Sequence, residues 1–230
     1  MPTRRYDSAW RQAQARQTRE ALLDAARHRF LAEGFAGTTV AVIAADVGVS
    51  VDTIYKAFGG KPGLVRAICA HALAGEGAVP AETRSDALHG SETDPRAIIR
   101  GWGALASEVA PRVVPILLLI RDAAIADPEM AGLQADMDRQ RLERMTRNAR
   151  KLADAGHLRR GLTVEHAGEI MWTYSSPQLY ELLVIIRGWP LQRFTTFITD
   201  AMIAALLPPQ HHAARLAAGG SRADGREEGL

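Results

Sequence analysis

The chain has 230 residues and a net charge of +2, with 47% hydrophobic and 23% charged residues, which is typical of a soluble globular protein. Its single cysteine, Cys69, excludes an intrachain disulfide, and the N-terminus has no apolar signal-peptide core, so we expect a cytoplasmic protein. The longest apolar run, residues 113–120, is shorter than the roughly 20 residues that a membrane span needs, so we expect no membrane span and predict a buried helix there.

Positive charge is concentrated near the N-terminus. Residues 1–70 contain ten Lys and Arg residues and six acidic residues, an excess of +4 (10 − 6) that leaves −2 for the remainder. This asymmetry fits a nucleic-acid-binding segment joined to a slightly acidic body, and it fits equally a solvated helix face.

The apolar pattern predicts an all-α fold. Apolar residues recur at spacings of three and four, and strand signals are almost absent. The first predicted helix carries the stripe Leu22, Leu23, Ala26 and Phe30, and glycines at 34 and 37 end it.

Residues 39–58 have the spacing of a helix-turn-helix. Thr38 or Thr39 can cap the first short helix, and Ser50 can cap the second. Between them Ala44 is small enough for a close helix crossing, and Gly48 suits a turn that needs a positive φ. An apolar residue, Ile54, follows six positions later and is expected to face the core.

Glycines, prolines and helix-capping residues mark the expected boundaries along the chain. We predict a flexible basic arm at 1–15, a helical domain at 16–75, a Gly/Ala/Ser/Thr/Pro-rich linker at 76–93, a second helical domain at 94–208 and a disordered tail at 209–230. Within the second domain, Asp94-Pro95, Asp127-Pro128 and Ser176-Pro177 each predict a helix start.

The segment from Arg19 to Leu64 resembles the DNA-binding domain of the tetracycline-repressor (TetR) family of transcriptional regulators. The resemblance is carried by Ala25-Ala26, Phe30, Glu33-Gly34-Phe35, Thr38-Thr39-Val40, Ile43-Ala44, Val47-Gly48-Val49-Ser50, Thr53-Ile54-Tyr55, Phe58, Lys61 and Leu64. It implies a three-helix DNA-binding domain followed by a helical domain that binds a small ligand and forms a homodimer.

On this basis the outer side of the second short helix is expected to lie in the major groove of double-stranded DNA. The predicted DNA-binding residues are Thr39, Ser50, Val51, Asp52, Thr53, Tyr55, Lys56 and Lys61. Val51 and Thr53 suit base edges, whereas Tyr55 and the two lysines suit phosphates. Asp52 suits the helix start, and either accepts a bond from a cytosine amino group or tilts away. The basic arm, with Arg4, Arg5 and Arg11, could reach an adjacent groove.

The second domain is expected to hold an unidentified small-molecule effector and the dimer interface. Candidate pocket residues are Trp102, Met137, Met171, Trp172 and Tyr174, although such residues at helical spacing are more often simple core. The last two apolar helices, about 177–187 and 190–207, are predicted to form the dimer face with Leu179, Leu182, Leu183, Ile186 and Phe194. The resulting function is a ligand-responsive repressor that binds an inverted-repeat operator.

An enzyme is the weaker alternative, and we predict no cofactor or metal. Cys69 and His71 lie on opposite sides of a helix, and Glu165, His166 and Glu169 fit a solvated face better than a metal site. A helical ligand-binding or protein-interaction module with a non-functional helix-turn-helix remains the other alternative.

Overall fold

In the computed structural model, the described residues are 3–74 and 79–209, with side chains for all of these except residues 3–9 and His89. Within these ranges the chain is α-helical and contains no strand, as predicted. The helices are α1 (Thr3–Gly37), α2 (Val40–Val47), α3 (Val51–Phe58), α4 (Lys61–Ala74), α5 (Ala81–Ser91), α6 (Pro95–Ala123), α7 (Pro128–Asp154), α8 (Val164–Tyr174), α9 (Pro177–Tyr180) and α10 (Leu191–Leu206), and a π-helical segment (Glu181–Ile186) continues α9.

The first four helices form a small bundle around the predicted apolar stripe. Leu22, Leu23, Ala26 and Phe30 of α1 are all buried, and Ile43 of α2 and Ile54 of α3 are fully buried with them. Helix α1 is interrupted at Gly34, whose φ of 75° and ψ of 170° are not helical. Glycine adopts this conformation without a Cβ penalty, so the chain can turn there toward α2.

Helix α6 forms the centre of the molecule. It packs against α1, α4, α5, α7 and α10. By length and composition alone it is the one helix among the described residues that could cross a membrane, which is weak evidence for a span, and 44% of its most apolar stretch is buried inside the molecule. The predicted buried helix at 113–120 lies within it, with Val113, Val114, Ile116 and Ile120 buried.

Helix α5 occupies most of the stretch that the composition suggested as a linker. The helix buries little apolar surface of its own, and three ion pairs attach it to its neighbours: Glu82 with Arg144, Arg84 with Glu108, and Asp86 with Lys151. The indole N–H of Trp102 also donates to the Ser85 carbonyl at 3.3 Å. Because these partners lie on α6 and α7, the sequence pattern of residues 76–93 alone does not predict this helix.

Helix α1 also begins earlier than expected, at Thr3, so much of the predicted flexible arm at 1–15 is helical backbone. The predicted disordered tail at 209–230 lies outside the described residues except for Pro209. The proposed boundaries of the two domains stay a prediction.

The C-terminal helices separate an inner from an outer set of apolar residues. Phe194, predicted on the dimer face, is instead buried in its own chain, with its ring edge-on to Tyr180 at 5.3 Å. Leu179 and Leu183 are half-buried, whereas Leu182 and Ile186 are exposed. Arg121 of α6 holds Glu181 in a bidentate ion pair, which anchors the start of the π-helical segment while its apolar residues point outward.

Candidate nucleic-acid interface

The turn between α2 and α3 is built by three side-chain and backbone devices. The hydroxyl of Thr39 accepts from the Val42 amide at 3.2 Å and caps α2. Gly48 ends α2 with a φ of 69°, in the left-handed region that glycine tolerates. The hydroxyl of Ser50 accepts from the Thr53 amide at 3.1 Å and caps α3. These are the caps and the turn that the sequence predicts.

Helices α2 and α3 are held in place by the apolar residues on their buried sides. Ile43 and Ala44 of α2 and Ile54 of α3 are buried together. Helix α4 begins only two residues after α3 and passes so close that a Cβ at Gly63 would overlap the carbonyl oxygen of Phe58. The orientation of α3 is therefore set by packing on two sides, which leaves its remaining side free.

That free side carries the residues predicted to meet DNA. Val51, Asp52, Thr53, Tyr55 and Lys56 are all exposed, although Ile54 in their midst is fully buried. Tyr55 is 54% exposed, and its ring lies over Gly60, where a Cβ would come within 3.2 Å of a ring carbon. The second glycine of the α3–α4 turn thus provides space for the tyrosine.

Asp52 and Lys56 form an ion pair one helical turn apart. The Lys56 ammonium lies 2.7 Å from a carboxylate oxygen of Asp52, and the two side chains are 77% (Lys56) and 68% (Asp52) exposed. An exposed pair at this spacing contributes only about 0.3–0.5 kcal/mol, so a phosphate can compete for the lysine at little cost. The pair does not decide whether Asp52 accepts a bond from a cytosine amino group or tilts away from the DNA. It shows a third role, in which Asp52 is a counter-ion to Lys56 within the same helix.

The two capping residues, Thr39 and Ser50, are exposed at the helix starts. The Ser50 hydroxyl also lies 2.8 Å from the Thr53 hydroxyl. The Thr39 and Ser50 side chains are therefore both engaged in local structure, and the DNA contacts predicted for them stay a prediction.

The Lys61 side chain already has partners within its own chain. Its ammonium donates to the Phe35 carbonyl at 2.6 Å and lies 4.1 Å from the centre of the Phe35 ring. Burial lowers the pKa of Lys61, and the nearby Asp127 carboxylate opposes that shift. The phosphate contact predicted for Lys61 thus competes with an intramolecular role that joins the start of α4 to α1.

One important cluster was not predicted. Arg29 of α1 donates to both carboxylate oxygens of Asp46 on α2, at 2.7 and 2.9 Å, and to Glu33 at 2.6 Å. These hydrogen bonds lower the pKa of Asp46 and raise the pKa of Arg29. The Arg29–Glu33 spacing was visible in the sequence, but the pairing with Asp46, seventeen residues away, depends on the fold.

The predicted pocket residues are distributed over three helices of the second domain. Met137 lies on α7, and Met171, Trp172 and Tyr174 lie on α8, which packs along α7. Trp102 is buried on α6 beneath α5. Met171 is buried, and the guanidinium of Arg141 lies 4.5 Å from the centre of the Trp172 ring.

An open groove of about 520 Å³ lies elsewhere, between the start of α6 and the end of α10, and is lined by Arg96, Arg159, Asp200, Ile203, Ala204, Ala205, Leu207, Pro208 and Pro209. Among the side chains that the structure describes, no group of three or more His, Cys, Asp or Glu residues is arranged to hold a metal ion. Glu165, one of the three residues weighed above as a metal site, instead has a carboxylate oxygen 3.8 Å from a guanidinium nitrogen of Arg150.

The N-terminal bundle matches a known protein family. Residues 22–68 match the family of bacterial regulatory proteins described as the tetR family. A comparison with curated protein sequences found no match.

The whole chain resembles several solved structures. A complex of SmeT with triclosan is 23% identical, with a TM-score of 0.64, and the match covers 84% of this chain and 92% of that one. NalD, the secondary repressor of the MexAB-OprM multidrug efflux pump in Pseudomonas aeruginosa, is 18% identical, with a TM-score of 0.62 and coverage of 85% and 98%. GusR of Salmonella enterica is 16% identical, with a TM-score of 0.61 and coverage of 83% and 95%. At these identities the likeness shows a shared fold.

Proposed function

We propose that this chain, whose residues 22–68 match the tetR family of bacterial regulatory proteins, is a homodimeric transcriptional regulator that binds an inverted-repeat operator through this region and is released by a small-molecule effector. It would act in the cytoplasm, where bacterial DNA is accessible, and would act as a repressor.

The observation that carries the proposal is the two-sided character of α3. Its inner residue, Ile54, is fully buried, and its outer residues Val51, Thr53, Tyr55 and Lys56 are exposed. A helix held in this way can enter the major groove, about 12 Å wide, with its N-terminal residues toward the base edges. Val51 and Thr53 are near that N-terminus, and the longer Tyr55 and Lys56 can reach phosphates on either side.

A dimer is supported by an exposed apolar face near the C-terminus. We define this face as Leu182, Ile185, Ile186 and Phe197, each of which is at least 40% exposed. The two segments that carry these residues are in contact, and large apolar side chains exposed on neighbouring segments are typical of an interaction surface. A two-fold dimer through it would present two copies of α3, which should be about 34–36 Å apart to bind successive major grooves.

The proposed effector site lies in the second domain, near the predicted residues on α6, α7 and α8. NalD, which shares this fold, is described as a repressor, and SmeT, which also shares it, was solved in complex with triclosan. We propose that an effector here binds better to a dimer whose α3 helices are wrongly spaced, because a ligand shifts an equilibrium only through its differential affinity.

The test is a fluorescence-anisotropy titration of the full chain with DNA from upstream of its own gene and with scrambled DNA, across salt concentrations. Specific regulators favour their site by roughly a thousandfold or more. The double substitution Tyr55→Ala and Lys56→Ala should abolish that preference. Arg150→Ala, which removes an exposed cation from α7, is the matched control and should leave it intact.

Three outcomes would count against the proposal. The double variant could bind as tightly as the unmodified chain, which would refute the assignment of α3. The unmodified chain could show equal affinity for all duplexes, or none, which would favour a protein-interaction module instead.

A further inference from the structure

Helix α7 turns two arginines toward the inside of the second domain. At 100° per residue, Arg141 and Arg144 fall within the same arc of about 100° as the buried residues Leu133, Asn148 and Leu152. The side chains of Arg141 and Arg144 are only 17% and 20% exposed. Arginine is rarely buried to this extent unless its charge is paired. Arg144 has such a partner, because its guanidinium pairs with Glu82 of α5.

The charge of Arg141 is compensated less completely. Its guanidinium donates to two neutral groups at the end of α8, the Trp172 carbonyl at 2.5 Å and the Ser175 hydroxyl at 3.4 Å. It also donates to the carboxylate of Asp138 at 3.2 Å, which is 42% exposed. Burial lowers the pKa of Arg141 although Asp138 opposes that shift, so this carboxylate offsets only part of the cost of burying the charge.

A buried donor without an acceptor lies beside Arg141. The Arg141 guanidinium lies over the Trp172 ring, 4.5 Å from its centre. The indole N–H of the same ring is buried and donates to no acceptor among the described residues. An indole nitrogen can only donate, and a buried donor that has no acceptor costs free energy. This place therefore lacks an acceptor, and a group with negatively charged oxygens would supply it.

Helices α7 and α8 also supply apolar side chains to the interior of the domain. Met171, next to Trp172 in the chain, is buried, and three half-buried residues of these helices pack against the core: Met137, Met145 and Tyr174. Methionine side chains are flexible and adapt to what they contact. A ligand held here would therefore need an apolar body as well as an anionic group.

We propose that the second domain binds an apolar carboxylic acid in its ionised form, whose carboxylate accepts from the indole N–H of Trp172 and from the guanidinium of Arg141. A carboxylate has two oxygens, so it can accept from both groups at once. The inference rests on the proposed function, because it names the chemical class of the effector. A neutral amide could satisfy the indole, but it would leave the buried charge of Arg141 as it is, and this favours the acid.

The test measures the binding of acids and of their matched amides to the full chain in the absence of DNA. The probes are cinnamate and decanoate, which are an aromatic and an aliphatic acid, together with cinnamamide and decanamide. Isothermal titration calorimetry gives the Kd of each. At least one acid should bind, and its amide should bind roughly tenfold to a hundredfold more weakly, because bonds to a charged group are lost. The tighter of the two acids shows whether the effector is aromatic or aliphatic.

Three variants separate the site from the fold. Trp172→Phe removes the indole N–H, keeps a ring beneath Arg141 and should weaken binding of the acid by roughly tenfold. Arg141→Gln should remove the preference for the acid over the amide, whereas Arg141→Lys should retain part of it. The matched control is Arg139→Gln, because Arg139 lies on the same helix and is 60% exposed; it should change neither Kd. Thermal unfolding without ligand checks that each variant is folded.

NMR of the nitrogen-labelled indoles shows whether the acid reaches Trp172. Its N–H cross-peak is the one that is lost in Trp172→Phe, and it should move when the acid is added and move less with the amide. A hydrogen bond to a carboxylate changes the shielding of that N–H directly, so a purely structural role of Trp172 would not produce this dependence on the charge of the ligand.

The proposal is overturned if neither acid binds, if each amide binds as tightly as its acid, or if Trp172→Phe binds the acid like the unmodified chain. It is also overturned if the acid binds but leaves the Trp172 cross-peak in place, since the groove that contains Arg96 and Arg159 would then be its site. An acid that binds without changing the affinity for DNA would refute its role as the effector. DNA binding itself is tested separately by the Tyr55→Ala and Lys56→Ala variant.

Discussion

Replacing Ile186 with aspartate should dissociate the proposed dimer while leaving each monomer folded. Ile186 lies in the π-helical segment and is 67% exposed, so its side chain contributes little to the core of its own chain. In a two-fold interface it would be buried twice, once from each protomer. The position is therefore sensitive to association and insensitive to folding.

The size of the effect follows from the exposed fraction. Complete burial of an isoleucine side chain contributes about 1.5–3 kcal/mol, so the two thirds still exposed would contribute roughly 1–2 kcal/mol per protomer and 2–4 kcal/mol per dimer. Since 1.4 kcal/mol is a factor of ten, losing this burial alone raises the dimer Kd by roughly 30- to 700-fold. The aspartate adds the cost of bringing two like charges toward a desolvated interface.

Sedimentation velocity across a range of protein concentrations measures the dimer Kd directly. The matched control is Ile125→Asp, because Ile125 is 88% exposed in the turn between α6 and α7 and is not one of the four residues that define the proposed face. Thermal unfolding of both variants checks that the monomers are intact. If Ile186→Asp associates as tightly as the unmodified chain, or if Ile125→Asp dissociates it equally, the interface has been assigned to the wrong surface.

Three further predictions concern the N-terminal bundle. Asp52→Ala should raise affinity for DNA several-fold at low salt, measured by anisotropy, because it removes a carboxylate facing phosphates and frees its partner lysine; unchanged or weaker binding would contradict this. Gly63→Ala should destabilise the fold by about 1–3 kcal/mol in chemical denaturation, because a Cβ there overlaps a backbone oxygen, whereas Gly132→Ala, with open space around it, should be neutral or stabilising. Hydrogen bonds from Arg29 lower the pKa of Asp46 below its ordinary value of 3.8, so the pair stabilises the folded state above that pH and loses its effect as the pH falls through the folded pKa. The difference in unfolding free energy between the unmodified chain and Asp46→Asn should therefore shrink on acidification. A difference that stays constant with pH would show that the ion pair is not the cause.

The sequence predicted best those features that depend on residues close together in the chain. The caps at Thr39 and Ser50, the turn at Gly48 and the burial of Ile54 all follow from spacings within one or two helical turns, and the structure confirms them. The helix starts at Asp94, Asp127 and Ser176 were predicted from the sequence in the same way. Each of these side chains accepts a hydrogen bond from a backbone amide in the first turn of its helix.

The features that escaped prediction depend on partners far along the chain. Lys61 resembles a phosphate ligand in the sequence, and only the fold brings it to the carbonyl of Phe35, 26 residues earlier. Phe194 belongs to a broad apolar stripe whose inner and outer members cannot be separated by periodicity, and in the fold it is buried with its ring edge-on to that of Tyr180. Helix α5 depends on charges from two other helices.

These distant contacts also indicate how the second domain could influence the first. Arg66 of α4 reaches Asp136 of α7 at 3.4 Å, but this pair is exposed and contributes at most about 1 kcal/mol. Leu64, Val65 and Ile68 of the same helix are buried in the core, and at about 1.5–3 kcal/mol each they dominate the attachment of α4. Because α4 follows α3 after two glycines, a repacking of these three side chains would tilt α3 with it. Arg66→Ala should therefore leave the DNA affinity, and the change in that affinity on adding an effector, nearly unchanged, whereas Ile68→Val should alter the change caused by the effector. Both variants are measured by fluorescence anisotropy with and without a ligand from a thermal-shift screen. If Arg66→Ala has the larger effect, the coupling lies in the ion pair.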